Sequence, residues 1–153
     1  MKKSIFGVIG TSRKEDERRV PIHPEHLQRL PSDIRKQLIF EEGYGHPFGL
    51  KDKELAALTG GVASRNALLK EIGSVIIAKP VASDLEQLRQ GGILWGYPHC
   101  VQQNEITQLA IDRKLTLLAF EDMFVWTPEG KRGRHTFYKN NEMAGYCAVL
   151  HAL

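Results

Sequence analysis

Five short, largely apolar runs, each separated from the next by a stretch of helical character, constrain this chain more than any other feature. They lie at Ile5–Gly10, Gln37–Glu42, Ser74–Ala78, Ile93–Tyr97 and Leu115–Phe120. Runs of this length read as strands, and continuous apolarity without alternation reads as strands covered on both faces. Between them, Pro24–Leu30 places proline at a helix start with leucines three apart. Ser83–Leu88 opens on an N-cap serine with glutamate three residues on, and Gln102–Lys114 repeats apolar residues at helical spacing. Strand, helix and strand in succession require crossover connections, which are right-handed and make the neighbouring strands parallel. The expected fold is therefore α/β, a predominantly parallel sheet flanked by helices, of Rossmann-like or flavodoxin-like type. Thr127–Gly133 reads as a long turn, and a last helix is expected to begin near Asn141 and run to Leu153.

Open α/β sheets place ligands beyond the carboxyl ends of their strands. The third run ends in Lys79-Pro80 and the fourth in Pro98-His99-Cys100. Two strands would then deliver a lysine and a histidine to one edge, a candidate acid/base pair. His99 titrates near neutrality without tuning, whereas Lys79 acts as a base only if desolvation or a nearby cation depresses it. Arg19, in the loop after the first run, carries a planar fork suited to a carboxylate. Each residue alone has a plainer reading: a solvated ion pair for an arginine beside Glu15, Asp16 and Glu17, a surface lysine, a hydrogen-bonded histidine.

Composition excludes several classes. With 153 residues, 42% hydrophobic and 25% charged, the chain suits one α/β domain with a real core and is too short for two. The net charge of +3 is interleaved rather than gathered into a stripe, so nucleic acid is not the expected partner. Cys100 and Cys147 give neither a metal spacing nor a disulfide framework, which suits a reducing cytoplasm and predicts no metal. The opening Met1-Lys2-Lys3 precedes too short an apolar stretch for a secretory signal, and no run approaches the roughly 20 residues that span a bilayer. The glycines of Gly43-Tyr44-Gly45-His46-Pro47-Phe48-Gly49 miss the dinucleotide spacing and read instead as a turn requiring positive φ.

Taken in order, E-R-R-V-P-I-H-P at 17–24, I-I-A-K-P at 76–80, G-Y-P-H-C at 96–100, L-L-A-F-E-D-M at 117–123 and Y-K-N-N-E-M-A-G-Y at 138–146 resemble the amino-terminal domain of the alanine dehydrogenase and transhydrogenase superfamily. The resemblance covers essentially all of residues 1–153. E-E-G-Y-G at 41–45 and the segment 137–153 look most like carboxyethylornithine synthase, and H-C at 99–100 with F-E-D-M looks like saccharopine dehydrogenase. The resemblance implies an NAD(P)-dependent oxidoreductase making a secondary amine from an amino acid and a 2-oxo acid. By position it matches Lys79 and His99 to active-site residues and Arg19 to a carboxylate-binding arginine. Glu121 and Arg132 match a substrate-binding glutamate and a basic residue of the saccharopine branch.

The family's NAD or NADP site lies in a second, Rossmann-type domain that follows the segment where this chain stops. No cofactor is therefore expected on residues 1–153, and the isolated chain is expected to be inactive. The apolar stretch Met143–Leu153 is expected to drive self-association into a homo-oligomer. Three alternatives stay open at this point: an alanine dehydrogenase-like domain, a stand-alone module binding an amino or oxo acid without redox chemistry, and a flavodoxin-like regulatory domain.

Overall fold

A computed structural model describes residues 4–153, so Met1-Lys2-Lys3 lies outside the described residues. The chain divides into two compact units, Met1–Leu118 and Ala119–Leu153.

The first unit is built on a six-stranded parallel sheet. Its strands are β1 (Phe6–Ile9), β2 (Leu38–Glu41), β3 (Gly61–Ala63), β4 (Ser74–Ile77), β5 (Ile93–Gly96) and β6 (Thr116–Ala119), in the order β3-β2-β1-β4-β5-β6. The ladders of β1 with β2 and β4, of β2 with β3, and of β4 with β5 all run parallel. Five of these strands coincide with the five apolar runs. The sixth, β3, was not expected: its Gly-Val-Ala is only three residues long with one large apolar side chain, and pairing with β2 makes it a strand.

The central strands are apolar on both faces. Val8, Ile9, Val75 and Ile77 are essentially inaccessible, as is Leu94, and Leu68, Leu69, Leu85, Leu88 and Ile106 pack from the connecting helices. Fully burying a side chain of this kind contributes about 1.5–3 kcal/mol, which makes these connections the main source of the unit's cohesion. The helices are α1 (Ser32–Arg35), α2 (Asp52–Leu58), α3 (Arg65–Ala67, continued as a π turn over Leu68–Ile72), α4 (Ala82–Gln87) and α5 (Asn104–Asp112). Pro24–Arg29 is helical as expected, wound as a 3-10 helix, which is tighter and longer in rise per residue than an α-helix. Ser83, read as an N-cap, lies inside α4. The carboxylate of Asp84 instead accepts from the Val81 amide at 3.1 Å, and Val81 is the cap position. Gly43 and Gly49 hold φ of +78° and +74°, the conformation read from the 43–49 glycines.

In the second unit, β7 (Phe124–Trp126) and β8 (Arg132–His135) form an antiparallel hairpin, followed by α6 (Tyr138–Ala152). The expected long turn is shorter than 127–133: the Thr127 amide donates to the Lys131 carbonyl at 2.9 Å, and Arg132 already belongs to a strand. Phe120 and Phe137 pack with ring centroids 5.0 Å apart, and the Phe120 carbonyl lies 3.1 Å from His135 Nε2. Helix α6 starts at Tyr138, earlier than Asn141, and presents Met143, Tyr146, Val149 and Leu150 to solvent. No helix among the described residues is long and apolar enough to cross a membrane.

Candidate active site

The strand order reverses between β1 and β4: from β1 the sheet grows through β2 to β3, and from β4 through β5 to β6. Loops leaving the carboxyl ends of such a pair diverge and open a crevice. Here they are pinned across it, because the Ser12 hydroxyl donates to the Lys79 carbonyl at 2.7 Å.

Lys79 follows β4 and precedes the buried Pro80, whose ring cannot donate to a ladder and so ends the strand. On the neighbouring strand the Tyr97 amide donates to the Ala78 carbonyl at 3.1 Å, which keeps the two exits in step. Gly96 makes this approach possible, since a Cβ there would run into the Ile77 carbonyl. His99 then adopts φ of +50°, and its carbonyl accepts from the amides of Gln102 and Gln103 at 2.9 Å each. A left-handed histidine costs on the order of 1–3 kcal/mol, so the surroundings must hold it.

The outcome is a direct hydrogen bond between Lys79 Nζ and His99 Nε2. The Tyr97 ring organises the groups around it. It stacks on His99 at 5.8 Å and 22°, with Lys79 Nζ 5.4 Å and Arg19 Cζ 5.8 Å from its centroid. A negative ring face attracts both cations and draws Arg19 toward the lysine–histidine pair.

Arg19 is held by Glu17 through a two-pronged contact, Nε to Oε1 at 2.9 Å and Nη2 to Oε2 at 2.6 Å. The bond to Arg19 outweighs burial and lowers the Glu17 carboxyl from 4.5 to about 2, with the Lys79 charge acting in the same direction. The same bond raises the pKa of Arg19. A ligand carboxylate at Arg19 therefore has to share the guanidinium with Glu17.

Behind the crevice lies a charged network that sequence reasoning did not single out. Glu41, the last residue of β2, is 8% exposed, and its Oε2 accepts from the Gly10 amide (2.9 Å), the Thr11 amide (3.1 Å) and the Thr11 hydroxyl (2.9 Å). Arg65 bonds Glu41 at 3.0 Å, the Thr11 carbonyl at 2.7 Å and the inaccessible Asp84 at 2.8 Å. One arginine thus ties the end of β2, the loop after β1 and helix α4. Burial works against its charge, but the bond to Asp84 and the charges of Asp84 and Glu41 more than offset that, so its pKa is raised. An acid closing an apolar strand was a usable signal for Glu41. Tyr97 stood beside a proline and a histidine already under consideration.

Glu121 and Arg132 belong to the second unit. Glu121 is half-buried in the 3-10 turn Phe120–Asp122, and Arg132 lies 3.5 Å above the Phe124 ring and 3.9 Å from Asp122.

The family model described as alanine dehydrogenase/PNT, N-terminal domain, matches residues 8–134. The N(5)-(carboxyethyl)ornithine synthase of Clostridium botulinum strain Hall is 25% identical over 155 residues, covering 90% of this chain and 45% of that protein. Its namesake from Lactococcus lactis subsp. lactis is 26% identical, with 90% and 45% covered. The alanine dehydrogenase of Lysinibacillus sphaericus is 32% identical over 111 residues, 71% of this chain and 29% of that one. The chain thus spans less than half the length of these curated relatives. Among solved structures, the transhydrogenase from Sinorhizobium meliloti superposes with a TM-score of 0.63 at 19% identity, covering 78% of this chain and 35% of that one. An L-alanine dehydrogenase gives 0.62 at 21%, covering 82% and 34%. These structural matches establish the α/β fold.

Proposed function

The chain belongs to the alanine dehydrogenase/PNT N-terminal domain family, and from that membership we propose that it is the substrate-binding half of an NAD(P)-dependent dehydrogenase that joins an amino acid to a 2-oxo acid as a secondary amine. The relatives named N(5)-(carboxyethyl)ornithine synthase support the product class, since that name describes a carboxyethyl group on an ornithine nitrogen.

One observation carries the reading: the hydrogen bond between Lys79 Nζ and His99 Nε2. In such a bond one nitrogen donates and the other accepts, so the pair holds a single movable proton between them. Making an imine from an amine and a carbonyl requires a proton to leave nitrogen and the oxygen to depart as water after gaining protons; hydrolysis reverses this. A pair that can give and take one proton at the same place serves both directions. Arg19 holds the carboxylate of the oxo acid, and the Tyr97 ring fixes the spacing between that charge and the proton-carrying pair. Glu121 and Arg132 are assigned to substrate binding in the assembled enzyme.

Nicotinamide supplies or accepts the hydride in this chemistry. Among the described residues, the loop after β1 does not fit a dinucleotide. A pyrophosphate is received at a helix N-terminus directly after a strand, whereas β1 is followed by irregular backbone as far as Pro24. The amides of Gly10 and Thr11 are taken by Glu41, and Gly10 is packed so closely on Tyr44 that a Cβ would lie 2.6 Å from its ring. In this reading residues 1–153 form one substrate domain, and the cofactor is held by a part of the enzyme outside them.

In the complete enzyme, Lys79→Met lowers turnover by about 10²–10⁴-fold, the usual worth of a general acid/base. Near-normal turnover removes Lys79 from the chemistry. Titration of the 153-residue chain with NADH, followed by fluorescence, gives no micromolar binding; such binding overturns the division of labour.

A further inference from the structure

The loop after β1 closes around a carboxylate at a place where open α/β sheets commonly receive a phosphate. Strand β1 lies at the reversal in strand order, and ligands of such sheets bind there, with phosphates held by oriented backbone amides. Here the consecutive amides of Gly10 and Thr11 donate to one oxygen, Glu41 Oε2, at 2.9 and 3.1 Å, and the Thr11 hydroxyl joins them at 2.9 Å. Arg65 Nη1 reaches the other oxygen, Oε1, at 3.0 Å. Two amides, a hydroxyl and a guanidinium around one carboxylate make an oxyanion seat.

The seat can be reached from outside. Gly10, Thr11 and Glu41 line a cavity of about 410 Å³, within the range of about 300–1,000 Å³ typical of ligand clefts, and Thr11 is itself exposed. Two features turn a second anion away from it. The donors are already taken by Glu41, and the cavity wall carries three carboxylates, Glu17, Glu41 and Glu42, against the single arginine Arg18. A neutral acceptor at position 41 would also satisfy the two amides. The carboxylate adds a charge, and the charge repels other anions.

We propose that Glu41 is a resident anion that fills an oxyanion seat at the end of β1 and sets the specificity of this cavity by excluding phosphate and phosphate-bearing molecules. With that carboxylate removed, the seat accepts a phosphate-type oxyanion, with Gly10, Thr11 and Arg65 as its donors. The proposal goes beyond the proton chemistry assigned to Lys79 and His99 and does not depend on it.

Inorganic phosphate is the probe, with sodium chloride at matched ionic strength as reference. In calorimetric titration the 153-residue Glu41→Ala chain binds phosphate with a Kd on the order of 1 mM, and the wild type binds it at least about 100-fold more weakly. At about 10 mM phosphate the thermal midpoint of Glu41→Ala, followed by circular dichroism, rises by about 3–6 °C. Glu41→Gln, whose side chain still fills the seat, does not respond. Adding Thr11→Val to Glu41→Ala removes one donor and weakens phosphate binding about 10-fold. If Glu41→Ala is unfolded in chloride, recovery of its circular dichroism in about 100 mM phosphate is the expected result. A Glu41→Ala chain that is indifferent to phosphate, or unfolded in both salts, overturns the proposal, as does an unchanged affinity after Thr11→Val. An equal response in the wild type or in Glu41→Gln also overturns it, because phosphate then acts only through its general exclusion from protein surfaces.

Discussion

Replacing Arg65 by methionine tests whether the network behind the crevice holds it together. The side chain is 16% exposed and bonds the carboxylates of Glu41, which is buried, and Asp84, which is inaccessible. Removing one partner of a buried ion pair costs about 3–5 kcal/mol, because the other charge stays behind without compensation. The lower end applies here. Glu41 keeps three donors from Gly10 and Thr11, and Asp84 keeps the Val81 amide and Arg13 at 3.5 Å. A loss of about 3 kcal/mol is a large share of the 5–15 kcal/mol that stabilises a typical domain. With a urea dependence of about 2 kcal/mol per molar, the unfolding midpoint followed by circular dichroism should fall by about 1.5 M. Arg65→Met combined with Asp84→Asn removes both charges and should be less destabilised than the sum of the single variants. A midpoint within about 0.3 M of the wild type for Arg65→Met, or strict additivity in the double variant, refutes the reasoning.

Three further outcomes follow from the geometry. Because the folded pKa of Glu17 is lowered from 4.5 to about 2, its contact with Arg19 contributes fully above pH 4.5 and is lost as pH falls toward 2. Carboxyl NMR should place the Glu17 midpoint well below 4.5, and a midpoint at the ordinary value contradicts the pairing. Tyr44→Phe removes the hydroxyl that donates to the Ile22 carbonyl at 2.7 Å and accepts from its amide at 3.0 Å. The expected cost is about 1–3 kcal/mol, a drop of several degrees in a thermal melt, and an unchanged melt counts against that anchor. Gly96→Ala forces a Cβ against the Ile77 carbonyl, parting β4 from β5 where Lys79 meets His99. Destabilisation of about 1–3 kcal/mol is expected by urea unfolding, and full stability would show that the strands can separate without cost.

Much of the fold is legible in the sequence because strand formation in a covered sheet depends on local composition. The runs at 74–78 and 93–97 need no distant partner to be recognised, and Lys79 and His99 inherit their positions from the ends of those runs. The misses have local causes too. Gly61–Ala63 is too short, three residues with one large apolar side chain, to stand out, and Arg132-Gly133-Arg134 looks like turn because its residues are charged or flexible. Ser83 had the chemistry of a cap, but Asp84 one residue later reaches the free amide.

What the sequence could not decide is who meets whom across the sheet. Ser12 and Lys79 are 67 residues apart, and Arg65 is 24 from Glu41 and 19 from Asp84. No local preference encodes these meetings. They follow from the placement of β1 between β2 and β4, a choice settled by burying apolar faces collectively. The Lys79–His99 bond shows both halves of that division. Residue type and strand ends put an amine and an imidazole on the same edge, while the tight approach at Gly96 and the left-handed turn of His99 bring the two nitrogens into contact.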